Sequence, residues 1–484
     1  MSELANKVSS NFIWRILEKF GAQAVTLVVS IILARILDPV IYGTVAIITV
    51  ITTILSVFVE GGFGTALVQK KNADNLDFST VFWFNLAVCI FLFGLLFFLA
   101  PLISNFFNLG DLTNLIRVSG IIILISGVKS IQIAYVSRNL LFKKFFFATL
   151  GGTIVSAGVG IYMAYAGYGV WALVVQNLVN QAIDTIILWI LVRWRPSFSF
   201  SFKRFKGLFG FGWKFLASGL LNQTYNQLSS LIIGKKYSPD DLAFYNRGVQ
   251  FPQFIGEGIN YGVDNVLLPV VSQAQDDKER VKNMTRKSVK IGSFITWPCM
   301  IGLAACSTPF VRFFLKDKWL PAVPFLILFC FVYGLLPTIS ASVTAIKALG
   351  KSRLFLILEI AKKIIGLALL LVTMWFGVFW IAIGVVVSSI LALLIHALSN
   401  KKLLNYSFSE QAKDFFPSLL LSLIMGALVY LVSLAGLSDI KALLIQVLLG
   451  VIIYMSLAKI LKMDSYEYCV NIFKSLFLKR KTKE

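Results

Sequence analysis

Long, uninterrupted apolar windows recur along almost the whole of this chain, and they constrain its fold more than any other feature. About 20 apolar residues cross the hydrocarbon core of a bilayer as a helix. About fourteen windows of that kind are present, centred near residues 26, 50, 90, 124, 154, 182, 223, 257, 300, 334, 367, 388, 425 and 450. The seventh and eighth are the most polar. Transmembrane barrel strands read as short alternating segments, whereas these runs are continuous. With 58% hydrophobic residues, a soluble globular protein is excluded and an all-α integral membrane protein is predicted. The first apolar run, Ala22 to Leu37, is too long for the core of a signal peptide. Charged Arg35 and Asp38 stand where a small-residue cleavage site would follow, so the run reads as the first membrane helix.

Positive charge orients the predicted bundle. Cytoplasmic loops of membrane proteins are enriched in Lys and Arg. With the N-terminus inside, the inner loops and both tails hold 33 of the 45 Lys and Arg, the outer loops and helix ends hold 9, and three lysines fall mid-helix. The richest inner segments are 193–214 and 278–290. Both termini are therefore expected in the cytoplasm, the second ending in Lys479, Arg480, Lys481 and Lys483. The loops are too short to hold a soluble domain, so a functional site must be built from helix faces.

Several windows carry a polar face. In the eighth, Arg247, Gln250, Gln253, Glu257, Asn260 and Asp264 recur every three or four residues, which is one side of an α-helix. The seventh has Ser218, Asn222, Asn226 and Ser230. The sixth has Asn177, Asn180, Gln181 and Asp184, the fourth Ser126, Lys129 and Gln132, and the eleventh Glu359, Lys362 and Lys363. Ionisable side chains inside a membrane segment are costly and point to function or to a partner. Hydrogen bonding between helices is the competing explanation. Glu359 suits an ion pair with Lys362 or Lys363 but can neutralise only one of them. Lys129 has no acid within four residues on its own helix, so its neutraliser must come from another helix or from a ligand. The polar faces together imply a cavity at the centre of the bundle. Glu18, Glu60, Glu257, Asp264 and Glu359 are the acids able to bind a coupling cation or a proton. Cys89, Cys299, Cys306, Cys330 and Cys469 show no metal-binding spacing and read as apolar packing residues. The lone His396 has no ligand partners in sequence.

Arg35 and Pro39 after the first window match Lys235 and Pro239 after the seventh, a faint internal correspondence. Parallel six-helix halves of that kind occur in some transporters. The expected division is an N-lobe at 1–195 (helices one to six), a cytoplasmic linker at 196–208, a C-lobe at 209–400 (helices seven to twelve), and two further helices with a basic tail at 401–484. The linker contains Pro196 and a Ser/Phe alternation over 197–202.

A set of local patterns occurs in order along the chain. Residues 32–39 read Ile-Leu-Ala-Arg-Ile-Leu-Asp-Pro and lead into Tyr42-Gly43. Gly62-Phe63-Gly64 closes the second window, and Tyr245-Asn246-Arg247 opens the eighth. Leu268-Pro269 precedes Ser272, Trp319-Leu320-Pro321 precedes the tenth window, and Leu349-Gly350-Lys351 follows it. Together they resemble the polysaccharide transporters of the multidrug/oligosaccharidyl-lipid/polysaccharide (MOP) exporter superfamily. The similarity is to Wzx-type flippases, in particular the WzxC-like and teichuronic-acid-exporter-like branch. The resemblance implies two pseudo-symmetric six-helix lobes around a central cavity, plus two C-terminal helices. It implies a bacterial inner-membrane protein, not an enzyme and without a cofactor. Such a protein flips an undecaprenyl-diphosphate-linked oligosaccharide from the cytoplasmic to the outer leaflet by alternating access, coupled to H+ or Na+, for surface polysaccharide synthesis. Membrane lipids and a polysaccharide polymerase or glycosyltransferase machinery are the implied partners, and nucleic acid is not one. On that footing Lys129, Arg247, Lys362 and Lys363 attract the diphosphate, while Asn222, Asn226, Gln250 and Asn260 meet sugar hydroxyls. A lipid II flippase or a drug exporter of the same fold is the nearest alternative. Apolar cationic drugs suit these lysines poorly. A membrane polymerase or ligase would need a larger outer loop than those near 102–114 and 312–321.

Overall fold

The computed structural model describes residues 21–60, 62–108 and 112–471. Among the described residues every regular element is a helix. Two compact units are present, Met1–Ala243 and Phe244–Glu484. Their boundary lies beyond the linker expected at 196–208, and the helix of the seventh window clusters with the first unit.

The first unit contains α1 (Gly21–Ile36), α2 (Pro39–Glu60), the short α3 (Phe63–Gln69), α4 (Asn75–Phe106), α5 (Leu112–Arg138), α6 (Phe142–Tyr165), α7 (Val170–Leu191) and α8 (Phe202–Lys236). In it α6 packs along α7, α4 along α5, and α2 along both α5 and α8. The start of α4 is fixed by a capping box in which Asp74 accepts from the Asp77 N–H and Asp77 reaches back to the Asp74 N–H. Gly43 follows from the close crossing of α2 with the first turn of α9 (Pro239–Gln273). A Cβ on Gly43 would stand 1.7 Å from the Pro239 carbonyl oxygen, so no larger residue fits without moving backbone.

The second unit contains most of α9, then α10 (Lys278–Ala305), α11 (Ser307–Leu315), a 3₁₀ turn (Asp317–Ala322), α12 (Val323–Gly334), α13 (Leu336–Ala348), α14 (Ser352–Thr373), α15 (Val378–Leu404), α16 (Phe408–Ser433), α17 (Asp439–Ile460) and a last helix over 464–471. Here α10 packs along α16, α14 along α15, and α16 along α17, with α12 and α13 against α10 and α15. The tenth apolar window is broken into α12 and α13. Pro337 lacks the N–H that a continuous helix needs, and Gly334 lets Trp297 press against the break, where a Cβ would be 2.4 Å from the indole. The core of this unit gathers Leu267, Val289, Trp297, Ala341, Leu393, Tyr406 and Phe415.

All fourteen window centres fall on described helices. Ten helical segments are long and apolar enough to cross a membrane, which is compatible with fourteen crossings. The other windows correspond to α1, whose described part begins at Gly21, to α8 and α9, which are more polar, and to α14, an apolar helix that carries Glu359, Lys362 and Lys363.

Candidate functional site

Within the first unit, Lys129 finds its counter-charge across a helix interface. Its ammonium donates to the Asp184 carboxylate and, at 3.1 Å, to Gln181 Oε1, both on α7. The lysine side chain is 12% exposed and the aspartate 4%, so each charge is removed from solvent and neutralised by the other. The sequence contained the signal. Lys129 lacks an acid on its own helix, and Asp184, not singled out as a site residue, lacks a base on its own. Neighbouring polar residues tie helices to one another and to the segment that follows α7. Asn180 donates to Ser156 Oγ at 3.1 Å, Asn85 to the Val59 carbonyl at 3.3 Å, and Gln132 to the Trp194 carbonyl at 3.1 Å. Asn222 and Asn226 lie one turn apart on α8 and are exposed.

Within the second unit, the polar face of α9 forms as the spacing predicts. Arg247 donates to Gln250 Oε1 at 2.6 Å, and one turn on Gln253 donates to Glu257 Oε1 at 2.9 Å. Arg247 is buried, with its guanidinium 4.8 Å from the centre of the Trp319 ring. Trp319 is fully buried and is itself crossed edge-on by Phe244 at 6.1 Å. The Tyr245-Asn246-Arg247 and Trp319-Leu320-Pro321 patterns therefore meet in space, a juxtaposition that their separate positions in sequence did not disclose. A guanidinium over an indole face is attracted to it by the ring's quadrupole. Asn260 is half-buried further along α9, and Glu257 is exposed.

On α14, Lys362 donates to Glu359 Oε1 at 2.7 Å, the i,i+3 pair expected from the sequence. Lys363 is half-buried beside it. Glu359 and Lys362 also act electrostatically on His396, which is fully buried on α15. Glu18 lies outside the described residues, and Glu60 and Asp264 are placed on α2 and α9 by their backbone alone. Among the site candidates the structure joins Lys129 with Gln181 and Asp184 in the first unit and, in the second, Arg247 with Gln250, Gln253 with Glu257, and Lys362 with Glu359.

A chain of apolar helices whose interiors hold ionised and amide side chains is a multi-pass membrane protein of the transporter type. The family described as "Polysaccharide biosynthesis protein" matches residues 32–324, more than half of the 484 residues, and the chain belongs to that family. Most of the patterns that carried the resemblance lie inside this range. Among relatives, the succinoglycan biosynthesis transport protein ExoT of Rhizobium meliloti (strain 1021) is 26% identical over 72% of this chain and 70% of its own length. The lipopolysaccharide biosynthesis protein WzxC of Escherichia coli (strain K12) is 25% identical over 69% of this chain and 68% of its own. The fold is shared with a lipid II flippase MurJ in an inward closed conformation, with a TM-score of 0.76 and 19% identity over 93% of this chain and 99% of that one. It is shared more distantly with an inward-facing multidrug transporter of the MOP superfamily, at a TM-score of 0.63 and 15% identity over 79% and 94%.

Proposed function

We propose that this protein flips a polyprenyl-diphosphate-linked oligosaccharide across the cytoplasmic membrane for surface polysaccharide synthesis. The family, the MurJ-type fold and the relatives named for succinoglycan transport and lipopolysaccharide biosynthesis support this reading. The observation that carries it is on α14. Glu359 engages Lys362, and a second lysine, Lys363, adjoins the pair half-buried on the same helix. Lysine ammonium groups on this helix face are donors of the charge that a lipid diphosphate complements. Arg247, seated over the Trp319 ring, adds a forked donor suited to phosphate oxygens. Asn222, Asn226, Gln250 and Asn260 offer amides for sugar hydroxyls. Lys129, already matched by Asp184, contributes to the fold of its unit and less to the cargo. Alternating access between lobes at 1–195 and 209–400 moves the headgroup while the polyprenyl tail stays in lipid. Coupling to H+ or Na+ falls to Glu257, Asp264 and Glu359, with Glu18 and Glu60 as further acids. Both termini are cytoplasmic on the charge distribution.

The test is mass spectrometry of lipid-linked oligosaccharides in a deletion strain complemented with the wild-type, Lys362→Gln or Lys363→Gln chain. The deletion accumulates the lipid-linked repeat unit, and the wild-type chain clears it. Each variant leaves at least about tenfold more precursor than wild type at equal membrane abundance. Full clearance by both variants would sink the cationic site. Accumulation of lipid II instead would favour the MurJ-like cargo.

A further inference from the structure

The first half of α10 carries Lys278, Arg280, Lys282, Arg286, Lys287 and Lys290, and from Ile291 to Ala305 the helix has no charged residue. The changeover marks the level at which a membrane helix passes from headgroups into hydrocarbon. A groove of about 430 Å³ opens there, lined by Asn283, Arg286, Lys287, Lys290, Tyr468 and Ile291, with Asp464 and Ser465 at its far edge. A second hollow of about 370 Å³ adjoins it through Asn283 and Lys287 and is lined further by Asp277, Glu279, Arg280 and Met284.

The cations of this groove differ in their partners. Arg286 makes a two-pronged bond to Asp414, at 2.8 and 3.0 Å. Lys290 reaches Asp464 at 3.1 Å and Asp414 at 4.0 Å. Lys287 lies 3.9 Å from the centre of the Tyr468 ring, and among the described residues no carboxylate oxygen is within 4.0 Å of it. The groove therefore holds one cation without an acidic partner, flanked by Arg286 and Lys290, whose remaining N–H donors are unspent. Ile291 leads from the groove to Ile295, which is 39% exposed one turn further into the apolar half of the helix. Ile460 and Leu461, at the end of α17, are 72% and 62% exposed. A phosphate group can sit among the cations while an acyl chain lies along the apolar half of α10 beyond Ile291. A free anion would have no use for the surface, and Tyr468 is the amphipathic ring expected at that depth.

We propose that this groove binds the phosphodiester headgroup of an anionic phospholipid, separately from the transported cargo. A cluster of basic side chains at headgroup level on the end of a membrane helix is a recurrent form of such sites. The experiment is native mass spectrometry of the full chain in detergent, titrated with phosphatidylglycerol and with phosphatidylcholine. Wild type takes up phosphatidylglycerol in preference. Lys287→Gln weakens that binding about fivefold, the effect of about one cation near an anionic headgroup, and leaves phosphatidylcholine binding and the melting temperature unchanged. Lys401→Gln, which removes an exposed charge at the end of α15, leaves both lipids unaffected. Equal phosphatidylglycerol binding by wild type and Lys287→Gln overturns the proposal. So does an equal loss in Lys401→Gln, which would reduce the effect to net charge. Displacement of the lipid by millimolar glycerol 3-phosphate would mark a site for soluble phosphate and also overturn it.

Discussion

Lys129 and Asp184 are 55 residues apart in the chain and form a buried ion pair between α5 and α7. Removing one partner strands the other charge in a medium that solvates it poorly, a loss of about 3 kcal/mol in comparable buried pairs. Asp184→Asn is therefore expected to lower the stability of the detergent-purified protein by about that amount, read from thermal unfolding. Replacing both, as Lys129→Met with Asp184→Leu, recovers most of the loss, because apolar pairs of similar size often substitute for buried ion pairs without penalty. The double variant also separates two roles for Lys129. If the lysine only holds α5 to α7, export survives the replacement. If the cargo needs its charge, the stable double variant fails to export. Arg247 shows what the linear sequence concealed at this scale. Its helical face was legible from a spacing of three and four, but its seat on Trp319 required the fold of the second unit to bring α9 and the 3₁₀ turn together.

At the scale of elements, the segment expected as a linker is strapped to α4. Ser197 donates from its N–H to Ser79 Oγ at 3.0 Å, and Ser201 donates from its N–H to Thr80 Oγ1 at 3.2 Å. Trp83 donates to the Ser197 carbonyl at 2.8 Å and stacks on Phe198 at 5.2 Å. The Ser/Phe alternation is the period of an extended chain, with successive side chains on opposite sides. The sequence showed the period but not what the serines would meet, since Ser79 and Thr80 lie more than a hundred residues earlier. The strap ends in Arg204, one turn into α8, whose guanidinium pairs with Asp74 and lies 3.3 Å from Asp77. The Arg204 bond, with the Asp77 N–H, holds the Asp74 carboxyl down at about 2. A carboxyl depressed in the folded state stabilises that state above its unfolded value near 3.8 and loses the contribution as pH falls toward 2. The melting temperature is expected to fall between about pH 4 and pH 2. Asp74→Asn, which still caps α4 but does not titrate, flattens this part of the profile. An unchanged slope in Asp74→Asn would assign the acid sensitivity elsewhere.

At the scale of the whole molecule, the helices that fall short of the apolar criterion for a membrane crossing include those richest in site candidates. Asn222 and Asn226 lie on α8. Arg247, Gln250, Glu257, Asn260 and Asp264 lie on α9, and Glu359, Lys362 and Lys363 on α14. Polar residues dilute the apolar windows of α8 and α9, and three charges interrupt that of α14, so the windows located these helices in the sequence without deciding that they cross. Their crossing is a matter of sidedness, which labelling can read. In a chain freed of Cys89, Cys299, Cys306, Cys330 and Cys469, single cysteines at Asn72, Asp276 and Lys351 are expected to resist a membrane-impermeant maleimide applied to intact cells. Cysteines at Tyr168, Phe376 and Leu437 are expected to react. The decisive pair is Lys351 and Phe376, on either side of α14. If α14 spans the membrane, the two positions label from opposite sides, and Glu359, Lys362 and Lys363 lie within the bilayer. If both label from the same side, those three charges stand at the surface, and the requirement that a cargo or a neighbouring helix neutralise them disappears.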